Sequence, residues 1–214
     1  MLFQNLDQIV FAGDSVTDMG SASAVADGPG EALGQGYVRK IENYLAAFHP
    51  EINLRITNAG VSGNTSATLR ARFETDVLAT KPAYISIMIG VNDVWRQFDM
   101  PAVTSRHVLP DEYEKNMRYM IEASQAVAKE VIIMTPFYIE PNAKDTMRAM
   151  VDTYGAICRK LAKEYGCRFV DLQAMFNEYC QVRHSVSIAP DRVHPNQIGA
   201  TLIARAFLEA CEAL

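Results

Sequence analysis

The sequence predicts a three-layer α/β/α sandwich built on a five-stranded parallel sheet, and three observations predict it. Short apolar, β-branched runs alternate with longer amphipathic stretches, the signature of repeated βα units. Two of those runs, Ile85-Ser86-Ile87-Met88-Ile89 and Val131-Ile132-Ile133-Met134, are nearly continuous in apolar residues, as central strands covered on both faces must be. The 214 residues are 49% hydrophobic and 21% charged, enough for one sizeable core, so residues 1–214 are expected to form a single domain.

The first strand is expected over 8–13, where Gln8-Ile9-Val10-Phe11-Ala12 runs into Gly13. A Gly-, Ala- and Ser-rich irregular stretch, 19–34, precedes a helix over 37–48. The second strand is placed at 53–58, a helix at 66–80 and the third strand at 84–90. Segment 95–110, which holds Met100-Pro101 and Leu109-Pro110, reads as irregular. Tyr113, Met117, Met120, Ile121 and Val127 then fall on one face of a helix. A strand at 131–135, a helix at 145–165 and a strand at 168–172 complete the sheet. A third irregular segment, 180–195, leads to a last helix with Ile198, Leu202, Ala206, Phe207 and Ala210 on its inner face. Long loops in a compact domain tend to carry function, and all three would rise on one edge of the sheet.

Composition excludes several classes. A net charge of -5 and a pI near 5.4 argue against nucleic acid, which needs clustered Lys and Arg; a small, neutral or weakly charged molecule is the expected partner. No apolar stretch approaches the ~18 residues of a membrane span, and Met1–Asp7 lacks the basic region of a signal peptide. Cys158, Cys167, Cys180 and Cys211 show no Cys-x-x-Cys spacing, which reads as reduced thiols in a cytoplasmic protein. No metal cluster is suggested. Monomer and homo-oligomer both stay open.

Chemistry is concentrated where strands are expected to end. Gly13-Asp14-Ser15 directly follows the first strand, which puts Ser15 at the carboxyl rim of the sheet, where open α/β folds bind ligands. A serine hydroxyl needs a base, and the base needs an orienting group. Among the four histidines, His194 alone has an Asp at a telling spacing, in Asp191-Arg192-Val193-His194. Asp191 and Asn196 could equally be caps of the following helix. Acyl transfer also needs donors for the developing oxyanion. Gly60, in the Gly-rich turn after the second strand, offers an unobstructed backbone N–H, and Asn92 after the third offers a side-chain amide; a turn and a cap are the plain alternatives. All of these groups fall on one rim, and that joint placement favours the catalytic arrangement. Asp14, Asn64 and Trp95 are candidate substrate contacts. The Trp95 indole could stack on a sugar ring or simply pack over the loop, and Asp14 could fix the Ser15 turn by local hydrogen bonding.

Gly13-Asp14-Ser15, Gly60, Gly90-Val91-Asn92-Asp93 and Asp191-Arg192-Val193-His194, in this order, resemble the four sequence blocks of the SGNH (GDSL-type) hydrolases. The resemblance spans nearly the whole chain. It implies a flavodoxin-like sandwich in which Ser15 is the nucleophile, His194 the base and Asp191 its orienter, with Ser15, Gly60 and Asn92 as oxyanion donors and no metal or organic cofactor. Ile87–Gln97, Met134–Glu140, Gly34–Val38 and Ala189–Pro195 look like the matching stretches of bacterial intracellular acetylxylan esterases. That likeness implies removal of acetyl groups from an acetylated sugar, short xylo-oligosaccharides above all. Pro190 departs from the pattern, because an aromatic residue is expected near the Asp. Two rivals are a thioesterase or lysophospholipase-like enzyme on the same triad, and a flavodoxin-like binding module that cradles a phosphate in the Gly60–Thr65 turn.

Overall fold

A computed structural model describes residues 1–214. The chain runs β1 (Gln8–Gly13), α1 (Ser15–Asp18), β2 (Ala26–Asp27), α2 (Tyr37–Phe48), β3 (Arg55–Gly60), α3 (Ser66–Asp76), β4 (Tyr84–Met88), α4 (Val91–Asp99), α5 (Pro110–Gln125), β5 (Glu130–Met134), α6 (Thr146–Tyr165), β6 (Arg168–Val170), α7 (Leu172–Cys180) and α8 (Gln197–Ala210). The sheet order is β2-β3-β1-β4-β5-β6, with every pairing parallel except β2 against β3.

Side-chain alternation along the central strands builds two cores. Ile9 and Phe11 of β1, Tyr84 and Met88 of β4, and Ile132 and Met134 of β5 face Tyr37 and Ile41 of α2, Phe176 of α7 and Phe207 of α8. Val10, Ala12, Ile85, Ile87, Val131 and Ile133 face the opposite layer, against Phe73 of α3, Met117 of α5 and Tyr154 of α6. Both faces of β4 and β5 are therefore dry, which is why their sequences do not alternate. Each such side chain contributes about 1.5–3 kcal/mol by leaving water, so the core alone commits the chain to three layers.

The sheet has six strands, not five. The extra one, β2, is a two-residue antiparallel strand on the edge of β3, with Ala26 opposite Asn58 and Asp27 opposite Thr57; a segment that short leaves no period to read. Two helices also fall where irregular chain or a strand end was expected. Segment 91–99 is α4, started at Gly90 with φ +135, and α7 follows β6 at once, capped by Asp171, whose side chain accepts from Ala174 N. Helix α3 ends at Asp76 and passes into a short 3-10 turn over Leu78–Thr80. The inner face of α8 is Ala200, Ile203, Ala204, Phe207 and Leu208 rather than one through Ile198, which is 52% exposed. Val127 lies beyond the end of α5 and is likewise exposed.

Two features fix the rim. Gly13 at the end of β1 pairs with Gly60 at the end of β3, and α1 crosses directly over them. A Cβ on Gly60 would lie 2.3 Å from Asp18 N and 2.7 Å from Thr17 C, both backbone. The second feature is a buried polar knot. Asp93 of α4 accepts from Ser66 N at 2.9 Å and from Ser66 Oγ at the start of α3; Asn116 of α5 donates to the same Oγ at 3.1 Å, and Arg70 donates to Asn116. Burial pushes the Asp93 carboxyl up to about 7, against the pull of its Ser66 hydrogen bonds.

Two predictions follow from these features. Gly60→Ala should cost several kcal/mol, because the new methyl meets backbone that cannot yield without moving α1; thermal unfolding would show it, and an unchanged Tm would contradict the close approach. Asp93 is neutral-favouring in the fold, so the stability it lends is present below its unfolded pKa and is lost as pH rises through about 7. The Tm of Asp93→Asn relative to wild type should therefore climb between about pH 4 and 8; a constant difference across that range would contradict the buried, protonated carboxyl.

Candidate active site

Ser15 is the first residue of α1, set at the rim by the β1–α1 turn. Asp14 makes that turn: its side chain accepts from Val16 N at 3.0 Å and caps α1. The Ser15 hydroxyl donates to His194 Nε2 at 2.8 Å, across 179 residues of chain. His194 Nδ1 donates to Asp191 Oδ2 at 2.6 Å, which fixes the tautomer that leaves the Nε2 lone pair for Ser15. Asp191 Oδ1 in turn accepts from the backbone N–H of Val193 at 3.0 Å and of His194 at 2.9 Å. Partial burial pushes the Asp191 carboxyl up, but these hydrogen bonds and the imidazole outweigh it and hold the group below the ordinary carboxylate range.

The 191–196 turn is itself anchored. Arg192 sits at φ +65, its carbonyl accepts from Ile139 N at 2.8 Å, and its guanidinium pairs with Glu140 at 2.8 Å. Asn196, not Asp191, is the N-cap of α8, accepting from Ile198 N and Gly199 N. The carboxylate of Asp191 is thereby left to the histidine.

The oxyanion side departs from expectation at one residue. Gly60 N–H donates to Asn58 Oδ1 at 2.9 Å and is buried beneath α1, so it has no hydrogen to offer a ligand. Its glycine identity serves the close approach of α1 instead. Three residues on, Gly63 occupies the left-handed region at φ +81 with open space around it, and its N–H has no partner within the chain. The Ser15 N–H, at the first turn of α1, is likewise free. Asn92, on the first turn of α4, donates through Nδ2 to the Asn64 carbonyl at 3.0 Å, which leaves its second Nδ2 hydrogen unassigned.

The three residues expected at the substrate divide. Asp14 is 2% exposed and so belongs to the frame; burial pushes its carboxyl up to about 6, opposed by the Val16 N–H and by His194. Asn64 gives its side-chain oxygen to Arg72 Nε at 2.7 Å and its carbonyl to Asn92, which makes it part of the frame too. Trp95 is half-buried, with its ring centroid 5.8 Å from that of His194, and borders the reacting centre.

Arg72 is a residue that the sequence does not disclose. Its Nη2 donates to the carbonyls of Gly13 at 3.2 Å and Ala59 at 2.8 Å, its Nε holds Asn64, and Asp76 balances its charge at 3.1 Å. One guanidinium thus joins the ends of β1 and β3 to the turn after β3. Within α3 it shows only the commonplace i,i+4 pair with Asp76. Beside that turn opens a cleft of about 560 Å³, lined by Gly63, Thr65, Arg96, Ser105, Arg106 and Glu112 among others.

Comparison with known proteins agrees with this geometry. Residues 11–202 match the GDSL-like lipase/acylhydrolase family. An acetylxylan esterase of Geobacillus stearothermophilus is 46% identical over 202 residues, 94% of this chain and 92% of that protein. The crystal structure of that acetylxylan esterase, Axe2, superposes with a TM-score of 0.97 at 44% identity, covering 99% of this chain and 96% of the other. Solved structures of Axe2 include catalytic mutants S15A, D191A and H194A. LAE5, an alpha/beta hydrolase enzyme from the metagenome of Lake Arreo, gives a TM-score of 0.97 at 45% identity, with 100% and 99% of the two chains covered. The chain belongs to the GDSL-like lipase/acylhydrolase family.

Proposed function

We propose that the protein is a serine esterase that removes O-acetyl groups from xylo-oligosaccharides through an acetyl-enzyme. The observation that carries this reading is the unbroken chain Ser15 Oγ, His194 Nε2, His194 Nδ1, Asp191 Oδ2, with links of 2.8 and 2.6 Å. Axe2, the relative with 44–46% identity, has its catalytic mutants at positions of the same number and residue type.

Ser15 Oγ attacks the acetyl carbonyl while its proton passes to His194 Nε2. The carbonyl oxygen becomes an oxyanion, received by the free N–H groups of Ser15 and Gly63 and by the second Nδ2 hydrogen of Asn92. Collapse breaks the ester bond, and the proton on Nε2 goes to the departing sugar oxygen. Water, deprotonated by the same nitrogen, then attacks the acetyl-enzyme; the bond to Ser15 Oγ breaks, Oγ takes the proton back from Nε2, and acetate leaves. Asp191 keeps the imidazole oriented and stabilises its protonated form throughout. Each of these steps uses only groups of this chain and water.

The cleft beside the Gly63 turn supports this substrate class. Of its eleven lining residues Ala67 and Val108 are apolar, Gly63 has no side chain, and the other eight offer hydroxyls, guanidinium groups, an imidazole and a carboxylate. Such walls suit sugar hydroxyls and give a long acyl chain little to bury against, which weighs against a lysophospholipase-like or thioesterase role. A phosphate-cradling module would leave the Asp191–His194 pair without work. We place the enzyme in a reducing compartment such as the cytoplasm, since all four cysteines are free.

Acetate release from acetylated xylo-oligosaccharides, beside hydrolysis of 4-nitrophenyl acetate and 4-nitrophenyl butyrate, tests the reading. Acetyl substrates should turn over well ahead of butyrate, and Ser15→Ala should lower kcat by at least ~10³-fold. Butyrate hydrolysed faster than acetate would defeat the deacetylase assignment, and an active Ser15→Ala protein would remove the triad.

A further inference from the structure

We propose that Arg96 is a positioning residue of the oxyanion site, fixing which end of the Asn92 amide is turned to the reacting carbonyl. The inference rests on the reading of Asn92 as an oxyanion donor. Arg96 lies four residues after Asn92 on α4, on the same face of the helix. Its Nη2 donates to Asn92 Oδ1 at 3.1 Å, and its Nη1 donates to Asp99 Oδ2 at 2.5 Å. The guanidinium lies 5.1 Å from the centre of the Trp95 ring, and the side chain is only 19% exposed.

The physical need is specific to an amide. Oδ1 and Nδ2 are nearly the same size, so a half-turn about the last side-chain bond exchanges them with little steric resistance. One orientation presents an N–H to the oxyanion; the other presents lone pairs and repels it. In this structure both ends are held. Nδ2 gives one hydrogen to the Asn64 carbonyl at 3.0 Å, and Oδ1 receives a hydrogen from a cation. A flipped amide would set oxygen against the Asn64 carbonyl and N–H against the guanidinium, so both contacts would turn repulsive together. The second Nδ2 hydrogen is thereby aimed at the rim. A charged donor on Oδ1 also draws density from the amide, which makes the remaining N–H a better donor.

Arg96 is not placed there for ease of burial. Its Nε is buried with no hydrogen-bond partner, the only side-chain nitrogen or oxygen of the protein in that position. A buried donor without an acceptor is destabilising, and a flexible cationic side chain free to choose would turn this group to water. The Asn92 and Asp99 contacts hold it instead.

A double-mutant cycle separates this role from a structural one. With 4-nitrophenyl acetate, Asn92→Ala should lower kcat by ~10²–10³-fold. Arg96→Met should lower kcat by roughly 10- to 100-fold with KM changed less than about 3-fold, since the interaction matters in the transition state. In the Asn92→Ala background, Arg96→Met should cost less than about 3-fold, because there is no amide left to orient. Asp99→Asn, which loosens Arg96 without removing it, should cost a few-fold in the wild-type background and nothing beside Asn92→Ala. It carries the same cycle should Arg96→Met fail to fold. If Asn92→Ala retains full kcat, the oxyanion reading itself falls. If Asn92→Ala loses activity as expected but the Arg96 or Asp99 change costs the same factor in both backgrounds, or nothing in either, the positioning role is overturned and the oxyanion reading stands.

Discussion

Parallel register at the carboxyl edge of the sheet is the constraint on which the rest depends. Gly13, Gly60 and Met88 end their strands at one level, because β1 pairs in register with both β3 and β4. The residues that follow each end are therefore delivered to the same place: Ser15 after β1, the Gly63–Asn64 turn after β3, Asn92 after β4. Arg72 reinforces that edge: it donates to the carbonyls of Gly13, which also accepts Val61 N, and Ala59, and ties the Asn64 side chain to the same guanidinium. The edge is thus built rigidly, and only the histidine turn has to be brought in from the far end of the chain.

Electrostatics sort the three carboxyl groups around the centre by environment. Asp14 and Asp93 are buried, and burial raises both. Asp191 is more exposed and accepts two backbone N–H groups besides the imidazole, which hold it low. Asp14 and Asp93 accept hydrogen bonds too, but their full burial outweighs them, whereas the lesser burial of Asp191 lets its donors win. Asp14 stands next to Ser15 in sequence, yet its work is the local cap on Val16 N and not proton transfer.

Much of this was legible in the sequence, and the misses have physical causes. The strands were readable because both faces of the sheet are dry, so β4 and β5 are nearly continuous apolar runs. The Ser15, Asp191 and His194 contacts were readable only jointly: each signal alone has a plain structural alternative, but all of them fall on one rim of the sheet and follow the order of the family blocks. β2 escaped because two residues carry no period, and α4 because its start is set by Gly90 at φ +135 and two of its four buried side chains, Asn92 and Asp93, are polar. Gly60 and Gly63 lie in one glycine-rich turn, and which N–H is free depends on where Asn58 Oδ1 points, a tertiary fact. Arg72 and Arg96 each stand four residues from a partner on their own helix, Asp76 and Asn92, a commonplace helical spacing, and what they do beyond it, on the Gly13 and Ala59 carbonyls or on an amide orientation, is a tertiary fact.

The central claim is spatial: three N–H groups from three strand ends converge on one oxygen beside Ser15 Oγ. The most direct measurement is a crystal structure of the protein after reaction with a small alkyl phosphonate, whose tetrahedral adduct mimics the intermediate. The account predicts a single adduct on Ser15 Oγ, with one phosphonyl oxygen within about 3 Å of Ser15 N, Gly63 N and Asn92 Nδ2. An adduct on another residue, or one whose oxygen lies away from Gly63 and Asn92, would contradict it.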